Sequence, residues 1–496
     1  MENRQPWLRE YGGLVAALVA GALCRFWDLT GPSLFIDEGF VFHASDRPVH
    51  DVLMMVAYSD FHPPLFYLVT HYLMGFLHWP LWDYRYLTAA FSLLGIAATW
   101  AIARRFFGTT AAWFAGLALA LQPALIEWDR LYRMYAVLVA LGAVSWWLLV
   151  RAGDARGKNR WLWWTLYACS AIALPYVHYV GALVVLSQGL YAVTRLRTMW
   201  PVLVGDAAAA IALIPWLWAI RIQYPHGGLV IALRSSEFSW PHVIRASLVY
   251  GIPAAWVIRP DFDLFFSIVA MVLLLAGIYA ARASVVPFWL FPIVIQVVAS
   301  FATGKDLVIP RYLYVYVPAF CIAFGALCAA IAGTRYRVAV AALAAAYFGV
   351  AAVSIPNMLF VPFYQFPDWY QVNTLLLANE HKYDLIVLDQ GAEYWVVYQF
   401  SGFSGHQIDA PALPSDLPLT MRWLDGYPKR RVWYIENQPG FTDPHRTLER
   451  HLDAVRRPVR MWRQNRIFTE DVVRIVLYGP RVLAAGKKRV VTTASP

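Results

Sequence analysis

The stretch YGGLVAALVAGALCRFWDL (residues 11–29) and its continuation TGPSLFIDEGFVFH (residues 30–43) decide the fold. The first half is an apolar run close to the roughly 20 residues that a helix needs to cross a bilayer. The second half places two adjacent carboxylates, Asp37 and Glu38, just past its end. Runs of similar quality recur at Met134–Val150, Leu264–Ala281, Arg311–Ala332 and Val338–Ile355. Across the 496 residues, 60% are apolar and 15% are charged. A soluble domain carries about 25% charged residues, and a soluble chain with this many long apolar runs would aggregate. The sequence therefore reads as a multispanning membrane protein.

The net charge of +10 does not point to nucleic acid. The basic residues fall between apolar runs, where they mark cytoplasmic loops. Cys24, Cys169, Cys321 and Cys328 all lie within apolar spans, with no CxxC or Cys/His cluster. Zinc, redox chemistry and a disulfide framework have no support. Arg25–Asp28 follow the first run in place of a small-residue cleavage site, so that run is expected to stay as a helix.

Positive-inside placement sets an expected topology. Arg4 and Arg9 put the N-terminus in the cytoplasm, and residues 31–83 outside. Arg104 and Arg105, the cluster from Arg151 to Arg160, Arg195 and Arg197, Arg282, and Arg335 with Arg337 all return inside if about eleven spans are drawn. These are residues 11–29, 84–104, 110–126, 134–150, 161–177, 180–194, 201–220, 263–281, 286–302, 311–332 and 338–356. Pro64–Leu77 and Val243–Val257 are then expected to lie in the interface or dip partway, being short for a crossing.

From about Pro362 charges become frequent. Short strand-like runs (Leu385–Leu388, Val432–Ile435, Val472–Leu477) alternate with helix-like sequence at Asp368–His381 and Thr447–Val455. That alternation predicts a small α/β domain, placed outside by an odd number of spans. No GxGxxG follows its first strand, so a nucleotide site is not expected. The expected division is a membrane domain over 1–360, with a catalytic first outer loop over 30–83, and an extracytoplasmic domain over 361–496.

Four stretches carry chemistry. In the first, Asp37 and Glu38 point about 100° apart on a helix, which suits one base with a supporting neighbour better than two acids flanking one bond; a solvated acidic pair at a helix start is the alternative. In YSDFHPPLFY (58–67), the two prolines fix an extended turn that would hold Asp60 and His62 at the membrane surface, unless it is a plain interfacial turn. In EWDRLYRMY (127–135), outer-side arginines break the positive-inside trend. An anionic ligand would explain them; ion pairing among Glu127, Asp129, Arg130 and Arg133 would as well. In TGKDLVIPRYLYVYVP (303–318), Arg311 stands at the mouth of a span, either meeting a lipid phosphate or snorkelling. Under the expected topology all four lie on one side. An acid with several cations at the lipid boundary suits sugar transfer from a lipid phosphate: the leaving group needs positive charge and the acceptor hydroxyl needs a base.

The order Asp-Glu, then His-Pro-Pro-Leu, then Arg-Met-Tyr, then Arg-Tyr-Leu before a proline resembles the GT-C superfamily of polyprenyl-phosphate-sugar-dependent glycosyltransferases. It looks like the branch of protein O-mannosyltransferases, aminoarabinose transferases acting on lipid A and related lipopolysaccharide glycosyltransferases. The resemblance covers roughly residues 10–360 and includes Leu87–Gly108. It implies a GT-C-type α-helical membrane fold and an inverting transfer. Asp37 would be the catalytic base, with Glu38 orienting the acceptor or tuning Asp37. Asp60, His62 and Asp129 would line the pocket. Arg133 and Arg311 would bind the donor phosphate, supported by Tyr135 and Tyr312, with Lys305 as a further partner. No metal site or cofactor is expected, although a divalent cation near Asp37, Glu38 and Asp129 stays open. The acceptor would be a glycolipid, polysaccharide or protein, and the location the inner (plasma) membrane. The last 130 or so residues do not resemble the β-trefoil insert of eukaryotic protein mannosyltransferases, which weakens a protein acceptor. The 23 tryptophans fit interfacial anchoring. A transporter or flippase of a lipid-linked sugar is the competing reading; it would put charges at mid-membrane and show inverted repeats, whereas the charges here sit at span ends. A structural scaffold would leave Asp37, Glu38 and His62 unexplained.

Overall fold

The computed structural model describes residues 6–226, 263–303, 308, 310–361, 367–389, 407–411, 414–437, 442–464, 473–482 and 492–493. It is mainly helical, with a small C-terminal sheet. The helices that matter below are α1 (Pro6–Phe26), α2 (Ile36–Ser45), α3 (Val49–Ser59), α4 (Leu65–Leu77), α5 (Arg85–Ala120), α6 (Pro123–Asp129), α7 (Met134–Asp154), α8 (Arg160–Val177), α9 (Val180–Val193), α10 (Leu196–Leu213) and α11 (Leu217–His226). Further helices cover Asp263–Ala280, Val286–Thr303, Val317–Ala332 and Arg337–Phe360.

Each of the eleven expected spans overlaps a helix, but 110–126 runs on from α5 into α6, 201–220 from α10 into α11, and 311–332 begins in two short turns before Val317–Ala332. Five helical stretches among the described residues are long and apolar enough to cross a membrane unaided: Leu81–Ala120, Met134–Asp154, Leu196–Gln223, Tyr314–Ala332 and Arg337–Phe360. The protein is an integral membrane protein. Residues 84–104 and 110–126, read as two spans, share the one helix α5, which breaks at Gly108 (φ 82°). A left-handed φ suits glycine because no Cβ collides with the backbone. The expected interfacial stretch Pro64–Leu77 is the 13-residue α4. Val243–Val257 lies outside the described residues.

Contacts divide the chain into two compact units, Met1–Leu29 with Ala44–Met358, and Thr30–His43 with Leu359–Pro496. In the first, α5 packs against α1, α7 and the helix Val317–Ala332. Small residues make that approach possible: a Cβ on Gly325 would sit 2.3 Å from the Ala111 carbonyl oxygen. Trp146 and Trp289 stack with centroids 5.6 Å apart, and the Trp289 indole donates to the Val315 carbonyl.

Charge inside this unit is paired. Arg25 donates from Nε to Asp129 Oδ2 at 2.8 Å and from Nη1 to the Ala120 carbonyl, tying α1 to α5 and α6. Both side chains are buried. Arg130 donates to the carbonyls of Cys24, Arg25, Trp27 and Asp28, where α1 ends and its last carbonyls lack helical partners. So Asp129 and Arg130 do not pair with each other. Both hold the end of α1.

The second unit contains a six-stranded sheet of β1 (Leu385–Leu388), β2 (Gln407–Asp409), β3 (Val432–Glu436), β4 (Arg456–Gln464), β5 (Val473–Arg481) and β6 (Thr492–Thr493), in the order β2-β1-β3-β5-β4-β6. β1 runs parallel to β2 and β3, while β3, β5 and β4 pair antiparallel. Its core includes Leu385, Tyr434, Leu448, Leu452 and Val476. The helices Leu417–Asp425 and Thr447–Val455 pack on this core. The expected boundary near 360 differs in one respect, because residues 30–43 group with this unit. Ser33 explains part of that. Its hydroxyl donates to the Pro367 carbonyl and accepts from the Trp369 amide at 3.0 Å.

Because the Arg25–Asp129 pair is buried, Asp129→Leu alone leaves a guanidinium without its carboxylate. It is expected to cost about 3–5 kcal/mol, read as a lower unfolding temperature in detergent. The double variant Arg25→Met/Asp129→Leu should recover most of the loss. Equal losses in the single and double variants would rule the pair out as the anchor of α1.

Candidate active site

Asp60 caps the C-terminus of α3 in extended backbone, and Pro63 and Pro64 then turn the chain into α4. The carboxylate is nearly buried and fully engaged. Oδ1 accepts from the Phe61 amide at 2.7 Å and lies 2.9 Å from His62 Nδ1. Oδ2 accepts from the Tyr67 hydroxyl, one turn into α4. The loop is held from behind by Gln223 of α11, whose Nε2 donates to the carbonyls of Val56 and His62. Tyr179 donates to the Gln223 carbonyl oxygen and accepts from the Trp216 indole.

His62 faces His178, which ends α8; their rings are 5.2 Å apart. Tyr135 lies 6.3 Å from His62 and 5.6 Å from His178, and Tyr312 lies 4.9 Å from His178. Trp128 packs edge-on against Tyr135. The Val180 amide donates to His178 Nδ1, so the neutral ring carries its proton on Nε2. His62 donates from Nδ1 to Asp60, which leaves Nε2 as an acceptor. Both Nε2 atoms are buried without a hydrogen-bond partner among the described residues. The cluster thus presents one N–H and one ring lone pair side by side, in an aromatic surround.

Two arginines act on this cluster. Arg133 stands at the N-cap of α7, where the helix dipole adds positive potential. Arg311 lies in the turn Pro310–Tyr312, its guanidinium carbon 6.0 Å from the Tyr312 ring centroid. Burial works against ionisation of Asp60, but His62, Arg133 and Tyr67 outweigh it and hold the carboxyl well below its ordinary range. Burial lowers the His62 pKa, and Arg133 and Arg311 lower it further against the pull of Asp60. His178 is driven down more strongly, by burial and then by His62, Arg311 and Arg133. At neutral pH the group is therefore a carboxylate, two neutral imidazoles and two guanidinium charges. Such a surround favours an added anion, and arginine forks with an N–H donor match phosphate oxygens.

The expected residues distribute as follows. Asp60, His62, Tyr135 and Tyr312 come together, with Arg133 and Arg311 acting on them. Asp129 is held by Arg25 at the end of α1. Lys305 lies outside the described residues. Asp37 and Glu38 occupy the first turn of α2, in the second compact unit. Glu38 is buried, and its carboxylate accepts from the Phe35 amide at 2.8 Å, capping its own helix. Asp37 is half-buried beside it. Three contributors escaped the sequence reading. Tyr67 stood in the quoted motif without a role. His178 sits in the two-residue connection between two apolar spans, a signal that was available. Gln223 carried none. No group of three or more His, Cys, Asp and Glu among the described residues fits a metal ion.

Comparisons with known proteins agree with this architecture. The family model described as dolichyl-phosphate-mannose-protein mannosyltransferase matches residues 61–218, a segment carrying Asp60's neighbours His62 and Tyr67 as well as Arg133, Tyr135 and His178. ArnT from Cupriavidus metallidurans, solved bound to undecaprenyl phosphate, has a similar fold: TM-score 0.57 at 15% identity, covering 94% of this chain and 98% of that one. The archaeal oligosaccharyltransferase AglB from Archaeoglobus fulgidus, solved with an inhibitory peptide and a dolichol-phosphate, gives a TM-score of 0.55 at 9% identity, covering 91% of this chain and 73% of that one. No curated protein matches by sequence. The fold is similar to that of these two proteins. The family match falls inside the membrane unit and covers less than half of the chain.

Glu127, beside Trp128 on α6, is buried, and its Oε2 has no partner among the described residues. Burial raises its carboxyl well above the ordinary range. The folded state therefore keeps a proton that the unfolded state loses above about pH 4.3, and stability from this group falls as pH rises. Glu127→Gln is expected to raise the unfolding temperature by a few degrees at pH 8, with a gain that shrinks toward pH 5. A gain independent of pH would assign the effect to packing instead.

Proposed function

We propose that this protein is an inverting glycosyltransferase that moves a sugar from a polyprenyl-phosphate carrier to an acceptor on the outer face of the inner (plasma) membrane. The convergence of Asp60, His62, Tyr135, His178 and Tyr312 under the charges of Arg133 and Arg311 carries this reading. In the transfer, the acceptor hydroxyl oxygen forms a bond to the anomeric carbon as the bond from that carbon to the phosphate oxygen breaks. The proton passes to Asp37, the base that the family resemblance implies, and the lipid phosphate leaves with one more negative charge. Arg133 and Arg311, with the His178 N–H and Lys305 as further donors, stabilise that charge as it develops. His62 lends its ring lone pair to a sugar hydroxyl, and Asp60 fixes the ring. Glu38 supports Asp37 by holding the helix turn on which both stand. No divalent cation is assigned a role.

The acceptor is a glycolipid, polysaccharide or protein of the cell envelope, with lipopolysaccharide-type acceptors implied by the resemblance to the lipid A aminoarabinose transferases. AglB, solved with a peptide, keeps the protein acceptor in view. The N-terminus is placed in the cytoplasm, and residues 31–83 with the C-terminal domain in the periplasm or outside the cell.

Transfer of radiolabelled sugar from polyprenyl phosphate in isolated membranes tests the assignments. Asp37→Asn, made and inserted normally, should lose transfer by about 10²–10⁴-fold, the range of a general base. Arg133→Ala should lose about 10²–10³-fold, with Lys recovering only part. Undiminished transfer by Asp37→Asn would remove the base. Single cysteines at Asp46 or His78 should react with an impermeant thiol reagent from outside intact cells; protection there would invert the topology.

A further inference from the structure

Helix α4 has two faces. Val69, Tyr72 and Phe76 are exposed on one side, at 45%, 63% and 81%, as suits a surface turned to lipid. Tyr67, His71, Met74 and His78 follow one another at helical spacing on the other. Tyr67 binds Asp60 at one end of this second stripe. At its other end, about 6–16 Å along the helix axis, lies a cavity of about 530 Å³ whose lining includes Arg47, His71, Gly75, His78, Trp79 and Tyr84. None of these belongs to the cluster around Asp60, and all lie in the first compact unit.

The cavity has a defined chemistry. His71 is set by a 2.9 Å hydrogen bond from Nδ1 to the Ser45 carbonyl, which ties α4 to the end of α2 and turns the other ring nitrogen away. Arg47, His71 and His78 offer nitrogen donors, and Asp46 on the same rim offers carboxylate oxygens. Trp79 and Tyr84 form an aromatic pair with centroids 5.8 Å apart. Tyr84 in turn packs on Tyr132, 5.5 Å away, immediately before Arg133. An aromatic wall suits the C–H face of a sugar ring, a carboxylate suits its hydroxyls, and an arginine fork suits a phosphate or carboxylate substituent. Arg47 brings a guanidinium to the rim, and this is the group that would meet an anionic substituent, while Asp46 meets hydroxyls.

We propose that this cavity binds a saccharide carrying a phosphate or carboxylate. Resting on the transferase reading above, it is the subsite that holds an acidic sugar of the acceptor, one helix face away from the donor-phosphate cluster. The ligand's charge is read by Arg47, its ring by Trp79 and Tyr84, and its distance from the Asp60 cluster by the length of α4.

Gly75 gives a clean test. A Cβ there meets nothing within 4 Å, and leucine is a better helix former than glycine, so Gly75→Leu fills the cavity without disturbing α4. Calorimetry on the full chain in detergent, without donor, should show glucose 1-phosphate binding at least about tenfold tighter than glucose, one charge-assisted contact's worth. Gly75→Leu should weaken that binding by about tenfold or more, and Arg47→Gln should abolish the preference over glucose. The dodecyl phosphodiester of glucose 1-phosphate separates the two sources of such a ligand. Measured in an Arg133→Ala background, which removes donor-site binding, tighter binding of the ester that Gly75→Leu abolishes assigns the site to a lipid-borne headgroup, and equal binding assigns it to a free acidic saccharide. No binding of either, equal affinity for glucose, or an unchanged Gly75→Leu would overturn the proposal. Lost transfer in Asp37→Asn does not enter this readout, so binding that fails while transfer variants behave as expected removes the subsite and leaves the transferase.

Discussion

A single buried carboxylate organises the candidate site. Asp60 is buried away from bulk solvent, so its charge depends on the protein donors around it. The Phe61 amide, the His62 ring, the Tyr67 hydroxyl and the charge of Arg133 together do that. Each of these contacts also fixes something else. The amide sets the turn, the imidazole takes one tautomer, the phenol pins the start of α4, and the arginine links the carboxylate electrostatically to the start of α7. Remove the carboxylate and four directions are lost together. The backing by Gln223 serves the same end from the other side, since it clamps the carbonyls that flank the loop.

Positive charge in the membrane unit divides into two kinds of work. Arg25 and Arg130 satisfy groups that the fold itself creates: a buried aspartate and the open carbonyls at the end of α1. These interactions are local and structural, and they are paid in full by protein partners. Arg133 and Arg311 instead project their field into a pair of neutral histidines, where the balance is positive. Two imidazoles that burial and neighbouring cations keep uncharged are useful here. Being neutral, they add no charge that would repel the two guanidinium groups. Residues only a few positions apart, Asp129, Arg130 and Arg133, thus end in different roles because α6 turns back on α1 before α7 begins.

Much of this was legible in the sequence. Apolar length located the helices, and basic residues between them located the breaks; even the join of two spans into α5 is marked by the glycine after Arg104–Phe107. The turn before α4 announced itself through its two prolines, and Arg133 and Arg311 through being arginines where few are expected. What stayed hidden has physical reasons. Gln223 belongs to a helix that reaches the Asp60 loop only through tertiary packing, and nothing in its local sequence records that approach; His178 was marked only by its place between two apolar spans. Asp129 looked like a pocket residue because its partner, Arg25, lies about a hundred positions earlier. β4 was missed because arginine-rich sequence hides an edge-proximal strand whose outward residues are charged, and β2 because it is three residues long.

The adjacent acids Asp37 and Glu38 illustrate how neighbours in sequence are separated by a helix. Glu38 falls at the third helical position, from which a glutamate reaches back to the amide of the residue before the helix, and it does so here with its side chain buried. Its carboxylate is therefore committed to making the first turn of α2. Asp37, about 100° around the same turn, is left half-buried and cannot make that contact. The cap in turn fixes the orientation of the turn on which Asp37 rides, so Glu38 decides where Asp37 points.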